Sequence, residues 1–511
     1  MQTAALANDP RLRRKLLRRR LFISFALIIL VLTGCLGHPT YLWVRAWWQD
    51  QPFHETLAAG DVDDGSRLNR TRVKGTVTIH ADRQAAEQQL VALVQKAKTE
   101  RFPIAIAGAR HSMGGHTIAS DGIVLDMLPF RHLQLDVSRK ILTAGSGARW
   151  FEIIPYLDAR GYSVAVMQSN NNFTVGGSIS VNCHGWQHNK PPIASTVESF
   201  RLLKADGQIV RCSRAENQEL FSLVLGGYGL FGIILDVELR IVPNERYRPD
   251  IEFMPAEQYV ARFKKKVNDS DDAGMVYGRL CVVPGDKTFL REAILTVFRE
   301  APHPQNKMPE LKALGYAKFR REVYRAQIDS DAGKSNRWSV EKMASRMMRY
   351  MHFSRNQLLN EGAETFQEQN ADRTDILHEY FIPPSQVPAF LEQARRIIPK
   401  HQGNLMNVTI RNVLEDKDAF LRYADQEMFA FVMLFNQLRT EPADQQMQAM
   451  TRELIEAALQ CQGRYYLPYR LHATNEQFER AYPQARAFFE KKRQYDPDGI
   501  FQNQFYGKYG R

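Results

Sequence analysis

The stretch that most constrains this chain is 104–115, Ile-Ala-Ile-Ala-Gly-Ala-Arg-His-Ser-Met-Gly-Gly. Four small apolar residues with strand character run into a loop that carries Gly108, Gly114 and Gly115. A glycine loop after a strand can turn several backbone N–H groups towards one point, a nest able to hold a pyrophosphate. His111 lies inside that loop, where a bound group would pass closest. The same pattern also occurs in turns that bind nothing, so the rest of the chain must decide between the two readings.

Two further glycine clusters follow. Residues 174–185, Thr-Val-Gly-Gly-Ser-Ile-Ser-Val-Asn-Cys-His-Gly, bring together small side chains as the close approach of a flat ligand requires. Residues 225–243 open with Leu-Gly-Gly-Tyr-Gly-Leu-Phe-Gly and continue as an apolar, β-rich run to Pro243. Gly227, Gly229 and Gly232 formally spell a dinucleotide fingerprint. That fingerprint follows a strand and opens a helix, whereas here a helical pattern at 219–224 precedes it and a strand pattern at 233–242 follows. A nicotinamide-binding Rossmann domain is disfavoured.

Between these clusters the patterns alternate. Strands are expected at 77–79 and 122–126, a helix at 84–99, hairpin arms at 133–137 and 140–144, and a helix over 150–160 closed by Gly161. A second hairpin, 197–205 with 208–212, turns on Asp206-Gly207. This is an α+β pattern. Beyond Pro243 strands are expected at 275–283, 293–298, 377–382 and 405–413, with basic helices at 311–328 and 340–359. The second of these carries Met343, Met347, Met348 and Met351, a face that either packs on its own domain or serves as a lid or a surface resting on anionic lipid. The end of the chain is rich in Tyr and polar side chains at 463–472 and 495–503, around a helical stretch at 475–492.

Half of the net charge of +12 sits in the first twenty residues, where seven Lys/Arg face only Asp9. The remaining body is mildly basic, so no nucleic acid partner is expected. Five scattered cysteines without a C-x-x-C indicate neither a disulfide scaffold nor a zinc site, and no metal is expected. The basic tail of 1–20 abuts sixteen uncharged, mostly apolar residues, 21–36, with Trp47 and Trp48 beyond. The expectation is a transmembrane signal-anchor over 21–44, with the N-terminus cytoplasmic and the body on the non-cytoplasmic side. Arg19-Arg20-Leu-Phe-Ile also reads as a twin-arginine export signal, and Leu32-Thr-Gly-Cys35 as a lipoprotein cleavage box; each would still tie the body to a membrane.

Taken in order, the nest 108–115, Val175-Gly-Gly-Ser178 with His184-Gly185, the run 225–234 and Asp-Pro-Asp-Gly-Ile-Phe-Gln-Asn at 496–503 resemble the vanillyl-alcohol oxidase (PCMH) type of FAD-binding oxidoreductase. Alditol and aldonolactone oxidases and decaprenylphosphoryl-ribose oxidases are the branches it resembles. The resemblance implies an α+β fold in two parts: an FAD-binding domain, 71–243, preceded by a linker, 45–70, and interrupted by an α+β substrate cap, 244–460. A C-terminal segment, 461–511, would complete the FAD domain and the site.

For the cofactor, FAD, the resemblance implies a pyrophosphate loop of Gly108, Ala109, Arg110, His111, Ser112, Met113, Gly114 and Gly115. Gly176, Gly177, Ser178 and His184 would line the ring, Gly232 and Ile233 would face the adenine side, and Asn503 belongs to the closing motif. His111 matches the position that in many relatives is joined covalently to the flavin; the alternative is a histidine that donates to a phosphate. Glu379 and Arg411 match strand positions facing the flavin, and Tyr469 stands roughly where decaprenylphosphoryl-ribose oxidases carry a lysine. The implied chemistry is oxidation of a hydroxyl on a polyol, sugar lactone or lipid-linked sugar, with oxygen or quinone as electron acceptor. A flavin-dependent reductase of a membrane-embedded substrate, or a binding protein without turnover, are the alternatives.

Overall fold

A computed structural model describes residues 37, 40–42, 44–48, 50, 56–301, 308–312, 317–363 and 367–511. The apolar run 21–36 lies outside them, as does Cys35. Among the described residues, no helix is long and apolar enough to cross a membrane.

The first layer is a small parallel sheet. Strands β1 (Gly75–Thr78) and β2 (Ile104–Ala107) flank β3 (Ile123–Asp126), and helix α1 (Arg83–Glu100) makes the crossover from β1 to β2. Helix α1 starts where the Asp82 carboxylate accepts from the Ala85 N–H, and it stops at Arg101 in the left-handed conformation. It buries Ala86, Leu90, Val94 and Ala97, one stripe at helical spacing. The chain's end returns here: Phe501 lies parallel to Ile104, and the Ile104 N–H donates to the Ile500 carbonyl at 2.6 Å.

A second, antiparallel sheet carries the expected hairpins. Strands β4 (Leu133–Asp136) and β5 (Ile141–Gly145) precede helix α2 (Trp150–Asp158) and the short helix α3 (Val175–Ser180). Strands β6 (Val197–Leu203) and β7 (Ile209–Ser213), helix α4 (Gln218–Val224) and strand β8 (Ile233–Pro243) complete it in the order β7-β6-β8-β5-β4. Helix α4 precedes the 226–232 glycines and strand β8 follows them, the reverse of a Rossmann turn. Gly232, at φ +146°, would drive a Cβ into the Leu203 carbonyl at 2.5 Å, so glycine is required where β8 enters the sheet beside β6.

After Pro243 the chain builds a larger antiparallel sheet. Its long strands are β9 (Arg246–Pro255), β10 (Ala273–Leu280), β11 (Glu292–Glu300), β12 (Arg373–Ile382), β13 (Leu405–Val413) and β14 (Met428–Leu438). They lie in the order β9-β11-β10-β13-β14-β12, with Phe353–Ser354 on one edge and Arg464–Tyr465 on the other. Strands β9 and β14 were not expected. Strand β9 carries Pro, Arg and Asp that mask its alternation, and β14 is a continuous apolar run that fits strand or helix equally.

The helices differ more. Helix α5 is Ala317–Arg325, and helix α6 runs over Asp331–Met348 after a Ser330 cap, so the helix expected at 340–359 is displaced. Residues 355–359 form a separate short helix begun by a Ser354–Gln357 capping box. Helices α7 (Val387–Lys400) and α8 (Glu441–Gln460) pack on one another. The stretch 475–492 is two helices, α9 (Asn475–Ala481) and α10 (Ala485–Tyr495), because Pro483 cannot continue the first.

Candidate active site

Strand β2 ends at Gly108, and the glycine loop begins there. A Cβ on Gly108 would collide with Thr174 Oγ1, and one on Gly176 would stand 2.8 Å from Ser146 Cβ. Each glycine is thus the contact that lets two loops close on one another. Arg110 takes the left-handed conformation at φ 56°, an unusual state for a side-chain-bearing residue, and turns the chain into His111. The His111 ring stacks on Phe173 with centroids 4.1 Å apart.

The loop is held from a direction the sequence reading missed. Residues 45–70 are expected as a linker, yet the buried Asp64 accepts from the Gly115 N–H at 2.7 Å and from Asn69 Nδ2 at 2.7 Å. Asn69 Nδ2 also reaches the Met113 carbonyl, and the Gly65 N–H donates to the Ser112 carbonyl.

Between this loop and the large sheet lies a cavity of about 370 Å³. Gly108 to Met113, Gly176, Gly177, His184 and Gly232 line it from one side. Residues of the sheet, alternate apart from Thr374 next to Asp375, line it from the other: Thr374, Asp375, Leu377 and Glu379 on β12; Asn407, Thr409 and Arg411 on β13; Val432 and Leu434 on β14. The period of two is that of one strand face. Asn407 and Thr409 were readable by that rule once Arg411 was named. Phe173, Thr174, Ser146 and Arg279 also reach the wall, and only the fold brings them there.

Five residues expected to touch the cofactor do not line the cavity. Ser178 Oγ is spent inside the domain, accepting from Trp150 Nε1 at 2.9 Å. Ile233 is buried against α1 and its neighbours. Asn503 Nδ2 donates to the His116 and Tyr228 carbonyls, fastening two loops. Gly114 and Gly115 sit behind the loop, where a Cβ would strike the Tyr469 carbonyl or Gln504. Ile234, one residue on from Ile233, faces the cavity instead.

The three expected catalytic residues converge. Glu379 Oε1 stands 2.6 Å from His184 Nε2, and Glu379 Oε2 accepts from the Tyr469 hydroxyl at 3.1 Å. Arg411 donates through Nη1 to the His184 carbonyl at 3.1 Å and through Nη2 to Ser169 Oγ at 2.6 Å. Glu379 is almost wholly buried, which alone would raise its pKa. The adjacent His184, the Arg411 guanidinium and the Tyr469 hydroxyl outweigh burial and hold the carboxyl below its ordinary value. Burial and the nearby Glu379 push Tyr469 well above the ordinary phenol value, so it stays a donor.

The wall fits a polar cofactor. Ser112 Oγ, Thr117 Oγ1 and Ser146 Oγ are buried on it without a hydrogen-bond partner, an expensive state unless a bound group satisfies them. Burial pushes His116 down to about 3, so it offers a neutral donor and acceptor. Among the described residues, no cluster of His, Cys, Asp and Glu could hold a metal.

Comparisons with known proteins agree with this chemistry. Residues 83–213 match the FAD binding domain family, and residues 237–509, more than half of the chain, match the family described as D-arabinono-1,4-lactone oxidase. Among curated proteins, an uncharacterized oxidoreductase of the fasciation locus of Rhodococcoides fascians is 29% identical over 195 residues, 38% of this chain and 42% of that protein. Cytokinin dehydrogenase 2 of Oryza sativa is 25% identical over 221 residues, 41% of this chain and 39% of that protein. L-gulonolactone oxidase of Mus musculus is 29% identical over 149 residues, 29% of this chain and 34% of that protein. The chain therefore spans less than half the length of these relatives.

Proposed function

From the premise that this chain belongs to the D-arabinono-1,4-lactone oxidase family, we propose that it is an FAD-dependent oxidoreductase acting on a CH–OH group of a neutral, polyhydroxylated donor of the sugar-lactone or polyol class. The observation that carries the reading is the Glu379–His184–Tyr469–Arg411 cluster on the cavity wall opposite the glycine nest. Bound FAD would supply the acceptor for the carbinol hydride. Gly108 to Met113 would hold it on one side, with Ser112, Ser146 and His116 as polar donors, and Gly176 and Gly177 would let it lie flat.

The chain's own groups provide the other half of the reaction. Glu379, kept ionised and coupled to His184, accepts the donor's hydroxyl proton as the hydride leaves. Arg411 places a fixed positive charge where the donor oxygen becomes more negative. Tyr469 orients the carboxylate by its hydrogen bond. Asn407 and Thr409 offer side chains to further hydroxyls. The lining carries four arginines (Arg67, Arg110, Arg279, Arg411) against four carboxylates (Glu361, Glu368, Asp375, Glu379), a balance that favours a neutral donor over a phosphate-bearing, lipid-linked sugar.

Two finer features belong to the same reading. His111, its ring fixed against Phe173, is the residue that would hold the flavin covalently. The basic tail of 1–20 and the apolar segment of 21–44 tether the body to a membrane, with oxygen or quinone as the electron acceptor. The deciding experiment is anaerobic titration of the yellow protein with sugar lactones and polyols. Bleaching by a member of either class is expected, and a flavin left oxidised by all of them would sink the reading.

A further inference from the structure

Helix α6 buries one side and leaves the other bare. Trp338 is buried with its Nε1 on Glu292, and Met348 packs against the same small core. Glu341, the helix's one acid beyond its first residue, is turned inward onto Arg279 and Arg337 at 3.3 and 3.4 Å. The opposite side carries Val340, Met343 and Met347 at helical spacing, continued in the next turn by Tyr350 and Met351. Met347 is 65% exposed and Tyr350 86%, too much apolar surface on one stripe to be scattered exposure. Arg346 and Arg349 lie against Phe253 at the stripe's edge, Arg349 also donates to the Ile251 carbonyl, and neither forms a salt bridge among the described residues.

The start of the described chain packs beside the N-terminal end of α6. Leu42 and Ala46 are buried, Arg45 donates to the Ile328 carbonyl just before α6, and Asp50 pairs with Arg321 of α5. Trp47 and Trp48 remain exposed there. The sequence leading into this segment is the uncharged run 21–36 behind seven basic residues.

We propose that the exposed stripe of helix α6 lies in the interface of an anionic bilayer, so that the cap, rather than the FAD domain, is the part of the body seated on the membrane. The inference rests on the tethered reading above. A row of methionine and tyrosine whose nearest exposed charged residues are arginines is the composition of an interfacial helix. With Glu341 turned inward and the exposed Arg346 left without a salt bridge among the described residues, the edge of the row carries the positive charge that anionic headgroups favour. A soluble acidic protein would match the arginines but not the apolar row. The run 21–36 folded back on the stripe would match the row but leave the arginines uncompensated.

The test uses the full-length holoprotein in lipid nanodiscs containing brominated lipid, with an environment-sensitive fluorophore on Met347→Cys, on Tyr350→Cys, or on Lys96→Cys of α1 as control. At least about twofold stronger bromolipid quenching at 347 and 350 than at 96 is expected in discs with phosphatidylglycerol, and weaker quenching in purely zwitterionic discs. Labels at 347 and 350 that remain unquenched in the anionic discs would overturn the proposal. In that case, access to aqueous iodide would mean a water-facing stripe, and shielding from iodide would mean one covered by protein. Co-elution with the discs reads the tether separately, and bleaching of the flavin by donor in the same sample reads the activity, so each reading can fail by itself.

Discussion

At the scale of single residues, the site is a set of groups whose charge states are fixed by their neighbours. Replacing Glu379 by Gln keeps the shape and removes the proton acceptor, so flavin reduction should slow by about 10²–10⁴-fold while the protein stays yellow. Stopped-flow bleaching checks this, and an unchanged rate would remove Glu379 from the chemistry. The sign of the pH dependence follows from its lowered pKa. Glu379 is ionised at neutrality and loses its accepting form only as pH falls through a value below the ordinary carboxylate range. Reduction should therefore hold steady from neutrality down to about pH 5; a fall centred near about 6.5 would assign proton acceptance to a histidine. His111 is tested by acid precipitation: the pellet should stay yellow, and His111→Ala should release its FAD to the supernatant. Glu379 and Arg411 could be named from motif position, but their meeting with His184 could not, because 195 and 227 residues separate them from it in sequence.

At the scale of elements, the C-terminal segment staples the two halves. The Asp496 carboxylate accepts from the Ile500 and Phe501 N–H groups at 2.8 and 2.7 Å and pairs with the buried Lys492. This turn presents Phe501 to β2, the strand that feeds the glycine loop. Asp496→Ala leaves Lys492 buried and unpaired and should cost about 3–5 kcal/mol, read by urea unfolding, with FAD retention weakened as a consequence. A second clasp joins Asp444 of α8 to Arg470 at 2.6 Å. Burial opposes its ionisation, but His472 and Arg470 hold its pKa down to about 2. Because the folded value is depressed, its contribution to stability is full above the ordinary carboxylate value. It is lost as pH falls towards about 2. Unfolding midpoints followed from pH 5 downward should show that loss in the native chain and lack it in Asp444→Asn. Most elements of the FAD half were legible because hairpin turns, caps and alternation are local signals. In the cap, a Pro- and Arg-bearing strand, a continuous apolar strand and a helix shifted along a methionine-rich tract obey tertiary packing more than local pattern.

At the scale of the whole molecule, the prediction is one of placement. A reporter active only outside the cytoplasm, fused to the C-terminus, should be active; silence would overturn the outward-facing body. The sequence by itself determined the α+β character, the order of the three glycine clusters and the rejection of a Rossmann turn. Each of these is written in short-range spacing, where backbone conformation and glycine placement act within a few residues. The tertiary structure alone decided which face of the cap sheet meets the nest. It also set Asp64 and Asn69, in an expected linker, as the clamps of the loop, and it placed Ser178, Ile233 and Asn503 off the cavity lining. The physical reason is that a cavity wall is made where elements distant in sequence pack. One position along a strand, as between Ile233 and Ile234, changes a side chain from core to cavity without changing the pattern around it.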